Sequence, residues 1–429
     1  MKKAFLIALA WTWFMPVAAQ KKTIRESEVS RIVTALSADD MQGRQVFTPG
    51  VRKASAFIQE EFRKAGLQPL PGQQNFQQDF LLYKVEPVLL KASLAGLPLA
   101  PEAVFVSTAV EKLSWSGQDA SQPEVVTISA GDNFIQVARR LLAQPKDQLV
   151  LVHPTHAAIF SRLKNSLSHG SFHTELNQYS TVFMLTDQTA APAYAVDLQQ
   201  KIQQQVQNNV VGYLPGKSRK EEFVVFSAHY DHIGILPAVA GDSIANGADD
   251  DASGTTAVIS LARYFKKKGA NARSLIFVAF TAEEIGGYGS RYFSRQLDPG
   301  QVVAMFNIEM IGKESPFGRN AGFITGFERS DFGSIVRRNL AGSSYQFHPD
   351  PYVKENLFYR SDNATLARLG VPAHSLSTDK IDVDPYYHTV DDEVATLDMG
   401  HMTNTIKAIA RAAKSIISGQ DTPSRIAPE

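Results

Sequence analysis

The 429-residue chain contains no cysteine. That absence excludes disulfides, thiolate metal ligands, a cysteine nucleophile and a lipidated cysteine behind a leader. Stability must come from a packed core or from bound metal, and any metal must be held by His, Asp and Glu. Excess charge of either sign is also absent: Lys and Arg total 43, as do Asp and Glu. Nothing in that balance points to nucleic acid or an anionic membrane surface as a partner. The N-terminal apolar run, Ala4 to Met15, is shorter than the roughly 20 residues a membrane span needs. No transmembrane anchor is expected from it. A GxSxG elbow is missing too, which disfavours a serine hydrolase.

What is present is 44% hydrophobic and 20% charged, a composition that packs a large core. The length fits two or three domains on a prior of roughly 100–200 residues each. The opening "MKKAFLIALAWTWFMPVAAQ" has a basic start at Lys2 and Lys3, an apolar stretch, and a small-residue site at Val17-Ala18-Ala19. It reads as a signal peptide over residues 1–19, cut before Gln20. The mature protein is therefore expected to be exported, periplasmic or secreted.

Residues 20–85 read as the first part of a catalytic domain. Their helical spacing places Val29, Ile32, Val33 and Leu36, then Ala54, Phe57, Ile58 and Phe62, on apolar faces. "AGLQPLPG" stops the second helix, and "NFQQDFLLYKV" has the look of a strand. Residues 86–208 are expected to form an inserted domain of unknown role. Within it "DQLVLVHP" and "STVFMLTD" are strand-like, "GDNFIQVARRLLAQ" is helical, and "LQQKIQQQVQNN" reads as a polar helix or linker. Residues 209–419 alternate short β-rich runs with helices, ending in a helix that Asp398 is placed to cap. Such alternation predicts an α/β fold, a mostly parallel (mixed) sheet flanked by helices. Residues 420–429 read as a flexible tail.

Ligands of such sheets sit beyond the carboxyl ends of the strands, and here those ends carry acids and histidines. "EEFVVFSAHYDHIG" brings His229 and Asp231, "NGADDDASG" three aspartates, "TAEE" Glu283 and Glu284, "NIEM" Glu309, and "DPYYHT" His388. Singly, each has an ordinary explanation. His229 could be a structural histidine, and the aspartates or the glutamate pair could cap helices. Together they would bury several carboxylates at a cost in desolvation and mutual repulsion that a dication removes. Zinc accepts His nitrogen and carboxylate oxygen. Two zincs need a shared carboxylate, and the chemistry needs a base that is not itself a ligand.

"AHYDHIG", "GADDDASG", "TAEEIGGYGS", "NIEMIG" and "YHTVDD" occur in the order and spacing of a zinc peptidase family. That family contains co-catalytic zinc aminopeptidases, glutamate carboxypeptidases, glutaminyl cyclases and the non-enzymatic transferrin receptor. The resemblance covers about residues 209–415, and "LSADDMQGRQVFTPG" also looks like the family's opening segment. It implies two zinc ions, with cobalt or manganese as possible substitutes. It implies that His229 and Glu309 hold one ion, that Glu284 and His388 hold the other, and that Asp250 bridges them. By the same resemblance Asp231 orients His229, Glu283 is the general base, and the Asp250–Asp251 peptide is a candidate cis bond. Glu309 stands where aspartate is commoner, and Asn363 of "RSDN" where many relatives carry histidine, a change expected to bear on the pocket. His232 receives no role.

The resulting expectation is an aminopeptidase acting on peptides with a free N-terminus. A glutaminyl cyclase, a carboxypeptidase using Arg360 or Lys354, and a binding protein on an inactive scaffold stand as alternatives. Side-chain preference and oligomeric state are not legible.

Overall fold

The computed structural model describes residues 24–118, 122–168, 170–191 and 193–427. The segment read as a signal peptide lies outside the described residues. Four parallel strands form the centre of the main sheet, in the order Ala373–Ser377, Val302–Ile308, Arg219–His229 and Arg273–Phe280. Antiparallel pairing then adds Tyr194–Leu214 beside Arg273–Phe280, with Gln77–Leu94 beyond it. Ala321–Ile324 joins the opposite edge. The sheet is thus mixed with a parallel centre, as the alternating pattern requires.

Period-2 alternation sorts the central strands between two cores. Val224, Phe226, Ala228, Leu275, Phe277 and Phe306 face one side. There they meet Val29, Ile32, Ile58, Phe62 and helices Gly254–Lys268 and Met399–Ala412. Val225, Ile276, Val278 and Met305 face the other side, against Phe293 and Leu366. Phe226 stacks between Phe277 and Phe306 at 5.5 and 5.1 Å. Burying a side chain of this size stabilises the fold by about 1.5–3 kcal/mol, so this apolar centre holds the strand ends rigidly. Helix Pro49–Ala65 stops at Gly66, whose φ of 75° is the left-handed conformation glycine adopts without strain. Asp398 does cap its helix, accepting from His401 N at 2.9 Å.

Residues Val104–Ser107, Thr181–Leu185, Gln148–Val152 and Glu124–Ile128 build a separate four-stranded sheet, in that order. It has its own core around Phe105, Val150, Phe160 and Phe183. Two expectations are corrected here. "LQQKIQQQVQNN" is neither helix nor linker but the middle of the strand Tyr194–Leu214, paired with Gln77–Leu94 across a register shift between Pro87 and Leu89. Glutamine is compatible with an exposed strand when the ladder satisfies the backbone, and the buried Val196 and Leu198 anchor its start. This pair runs unbroken through residues 85/86 and 208/209. The second correction concerns the tail. Through residue 427 it is docked: Ile426 is buried, Ser424 N donates to Asp331, and the buried Arg273 donates to the Asp421 carbonyl at 2.6 Å. Among the described residues no helix is long and apolar enough to cross a membrane.

Candidate metal centre

The central strands deliver their functional groups to one edge. His229 ends its strand, Glu309 directly follows Val302–Ile308, and Glu283 and Glu284 follow Arg273–Phe280. Asp250 comes from the buried turn Ala248–Ser253, and His388 from the loop after Ala373–Ser377. Asp250 is the meeting point. Its Oδ1 lies 3.1 Å from His229 Nε2, which is 3.2 Å from Glu309 Oε1. Its Oδ2 lies 3.2 Å from His388 Nε2, which is 3.1 Å from Glu284 Oε2.

These spacings also match those between ligands of one metal ion. Ligand atoms at 2.0–2.1 Å from a tetrahedral zinc stand about 3.3 Å apart. Asp250 Oδ1 is buried and has no hydrogen-bond partner, although His229 Nε2 is near. An orphaned carboxylate oxygen costs roughly 1–3 kcal/mol or more, and a shared cation removes that cost. The donor sets His229–Asp250–Glu309 and Asp250–Glu284–His388 contain nitrogen and oxygen only, which suits zinc. Among the described residues His232 also reaches the second group, with Asp250 and Glu284.

The three consecutive aspartates divide the work. Asp251 Oδ1 accepts from Gly254 N and Met310 N, and its Oδ2 from His229 N. Asp249 Oδ1 accepts from Gly312 N at 2.7 Å. Asp392 Oδ2 accepts from Asp249 N and Asp250 N, each at 3.0 Å. Asp250 alone turns both oxygens to the histidines, and the Asp250–Asp251 peptide is cis. Gly254 must lack a side chain, because a Cβ there would lie 2.2 Å from the Ile308 carbonyl and 2.4 Å from Asp251 Oδ1.

Charge within the cluster follows from burial and proximity. Burial disfavours charge on His229, yet Glu309 and Asp250 raise its pKa well above the usual histidine value. His388 is likewise opposed by burial but lifted to about 10 by Asp250 and Glu284. Burial would raise Asp250, but His232, His229 and His388 hold it well below the carboxylate range. Glu283 moves the other way. Burial pushes its carboxyl well up, against the pull of His229, with Asp362, Glu309 and Glu284 adding to the rise.

Asp231 does not orient His229 through its carboxylate. His229 Nδ1 donates to the Asp231 main-chain carbonyl at 3.1 Å, while Asp231 Oδ1 is 3.9 Å away. That hydrogen bond leaves the Nε2 lone pair for a metal. The Asp231 carboxylate instead accepts from Glu283 N and Glu284 N at 3.2 and 3.4 Å, fixing the two-glutamate turn. Glu309 manages its extra methylene by splitting its oxygens: Oε1 faces His229 and Oε2 accepts from Ser361 Oγ at 2.6 Å. Asn363 is fully buried away from the pocket. It donates to the Phe358 and Ala373 carbonyls and accepts from Ser375, so its role is to brace the fold.

Four contributors escaped sequence reasoning: His232, Ser361, Asp392 and Arg44. His232 Nδ1 sits 2.7 Å from Glu284 Oε1. Its only sequence signal is its position directly after Asp231. A cavity opens from the cluster between Met310, Phe323, Leu357, Arg360, Ile381 and Tyr387.

Residues 209–413 match the model of peptidase family M28. Leucine aminopeptidase 1 of Ajellomyces capsulatus (strain H88) is 29% identical over 216 residues, 47% of this chain and 54% of the relative. The chain thus spans about half the length of the curated relatives it matches. The fold is similar to an aminopeptidase from Aneurinibacillus sp. strain AM-1, with a TM-score of 0.56 at 15% identity, covering 95% and 97% of the two chains. A zinc aminopeptidase from Bacillus subtilis gives a TM-score of 0.53 at 16% identity, covering 95% and 98%.

Proposed function

We propose that this chain is an exported, zinc-dependent aminopeptidase that removes residues one at a time from the free N-terminus of peptides. The observation that carries the reading is Asp250, whose two oxygens face separate groups of donors, His229 with Glu309 and Glu284 with His388. These residues would hold two ions, zinc first, with cobalt or manganese competent at the same N/O donors. Bound there, the metals supply Lewis acidity toward the scissile carbonyl and lower the pKa of water.

The chain's own part is positioning and proton transfer. Glu283 adjoins both donor groups without belonging to either, and its raised pKa gives it affinity for a proton. It takes a proton from water as the water oxygen bonds to the carbonyl carbon. It gives that proton to the departing nitrogen as the C–N bond breaks, leaving a free amino acid and a peptide one residue shorter. Asp231 holds Glu283 and Glu284 through their amides, so base and ligand keep their separate directions.

The test uses mass spectrometry on zinc-loaded protein with three peptides: one with a free N-terminus, its N-acetylated twin, and one beginning with glutamine. Stepwise N-terminal trimming with the acetylated twin untouched is expected. Ammonia loss from the glutamine peptide alone means a cyclase, trimming from the other end a carboxypeptidase, and no change a binding protein. Export is tested by N-terminal sequencing of the mature protein, expected to begin at Gln20.

A further inference from the structure

The cavity beside the metal cluster has an acidic end that the proposed chemistry does not use. Asp379 lines it together with Ser375, Ser377 and Thr325. The neighbouring hydroxyls are engaged. Ser375 Oγ donates to Asn363, Ser377 Oγ donates to the Met310 carbonyl, and Thr325 Oγ1 accepts from Ser375 N. Asp379 is different. Its side chain is buried, at 4% exposure for the residue, and neither carboxylate oxygen has a hydrogen-bond partner.

Lys313 acts on Asp379 but makes its ion pairs with other carboxylates. Lys313 Nζ lies 2.7 Å from Asp384 and 3.5 Å from both Asp249 and Asp392. Arg360, also in the cavity lining, is half exposed and paired with Glu355 at 3.5 Å. Asp249 and Asp384 lie close to Asp379 and add negative charge to that end. The Asp379 carboxyl is pushed up to about 8, by burial first and then by Asp249 and the close approach of Asp384, against the pull of Lys313. A buried carboxylate with two free oxygens is stabilised by a cation that brings its own N–H donors.

We propose that Asp379 receives the cationic tip of a lysine or arginine side chain, making peptides with a basic first residue the preferred substrates. The inference rests on the aminopeptidase reading, since that reading puts the first side chain in the cavity adjoining the metals. The walls suit such a side chain, because Phe323, Leu357 and Ile381 in the same lining offer apolar surface to its methylene stem. A leucine side chain fills the apolar part and leaves Asp379 unsatisfied.

The test compares lysyl, norleucyl and leucyl peptides that are otherwise identical, on the zinc-loaded full chain. The expected kcat/KM for lysyl exceeds that for norleucyl by roughly 10–100-fold, the scale of one buried charged partner. The Asp379→Asn and Asp379→Ser variants are expected to reduce that ratio to about one. Leucyl or norleucyl preference in the unmodified protein overturns the inference, as does an unchanged ratio in both variants. Loss of the lysyl preference on adding millimolar calcium also overturns it, because Asp379 would then serve an inorganic ion. Calorimetry with lysine amide against norleucine amide reads the pocket without turnover. If no peptide is cleaved but lysine amide binds at least tenfold tighter, the aminopeptidase reading fails and the pocket assignment stands. Equal binding sinks the pocket assignment.

Discussion

His232 Nδ1 lies 2.7 Å from Glu284 Oε1, while His388 Nε2 lies 3.1 Å from Glu284 Oε2. One carboxylate is therefore gripped at both oxygens, and both histidines also face Asp250 Oδ2, His388 at 3.2 Å and His232 at 3.8 Å. His232 is fully buried, so its contact is not diluted by solvent. Partners that orient a ligand in this way typically contribute 10–100-fold to metal affinity. His232→Ala is expected to weaken the Glu284–His388 site by that factor and leave the His229–Glu309 site nearly unchanged. A chelator titration with two resolved metal equivalents measures both. Equal retention at both sites would remove His232 from the assembly.

Glu283→Gln keeps the shape and removes the proton acceptor. Because Glu283 lies outside both donor groups, two metal equivalents should remain by elemental analysis while kcat falls by roughly 10²–10⁴. Loss of metal together with activity would mean that Glu283 is a ligand and not the base.

The central sheet and the strand-end groups His229, Glu284 and Glu309 were readable because their strands combine β-branched or aromatic residues with an acid or histidine at the end, whereas Asp250 and His388, in a turn and a loop, came from the resemblance. Val224 to His229 and Val302 to Glu309 show the pattern in consecutive residues. The strand Tyr194–Leu214 was misread because its glutamines carry no alternation of their own; its partner Gln77–Leu94 supplies the ladder from more than a hundred residues away. The tail was misread for the same reason, since its anchors are Arg273, Asp331 and the Val302 carbonyl. The role of Asp231 was half legible. Its position two residues from His229 located it, but only the fold reveals that its carboxylate serves the glutamate turn and its carbonyl serves the histidine.

His374 links the fold to pH. It is buried between Phe332 and Phe358, with Nδ1 donating to the Thr325 carbonyl at 2.9 Å and Nε2 beside Ser330 Oγ at 2.8 Å. Burial lowers its pKa to about 4, with Arg329 adding to the fall and the Thr325 hydrogen bond opposing it. The unfolded chain binds the proton at about 6.5. His374 thus contributes stability above that pH, and the contribution is lost as pH falls from about 6.5 toward 4. The full loss is on the order of 3 kcal/mol. His374→Gln is expected to be less stable at neutral pH and to show a flatter decline between pH 7 and 4. Urea denaturation at several pH values tests it; parallel declines in both proteins would exclude His374 as the cause.

Arg44 carries the last prediction, because it ties the N-terminal helices to the loops that carry the proposed ligands. It is fully buried, and all five of its N–H groups meet carbonyls. Nε donates to Tyr230 at 2.7 Å, and Nη1 to Leu36 and Asn246 at 2.8 and 2.6 Å. Nη2 donates to Gly247 and Asp250 at 2.9 and 3.3 Å. Besides Leu36 of the first helix, the acceptors belong to the residue after His229, to the turn before Asp250, and to Asp250 itself. A lysine has three donors on a flexible stem and cannot span that fan of carbonyls. Arg44→Lys would leave buried carbonyls unpaired, at roughly 1–3 kcal/mol each, and let the Asp250 turn move against the His229 strand end. Arg44→Met would remove all five donors but add no buried charge. Both variants are expected to lose about 3–5 kcal/mol in urea denaturation of the metal-free protein, and to bind the first metal equivalent more weakly. If Arg44→Lys stays within about 1 kcal/mol of the unmodified protein, the carbonyls are satisfied by other groups and Arg44 does not set the loop. If stability falls but metal affinity does not, Arg44 supports the fold without positioning Asp250, because a misplaced bridging carboxylate would be read at both sites at once.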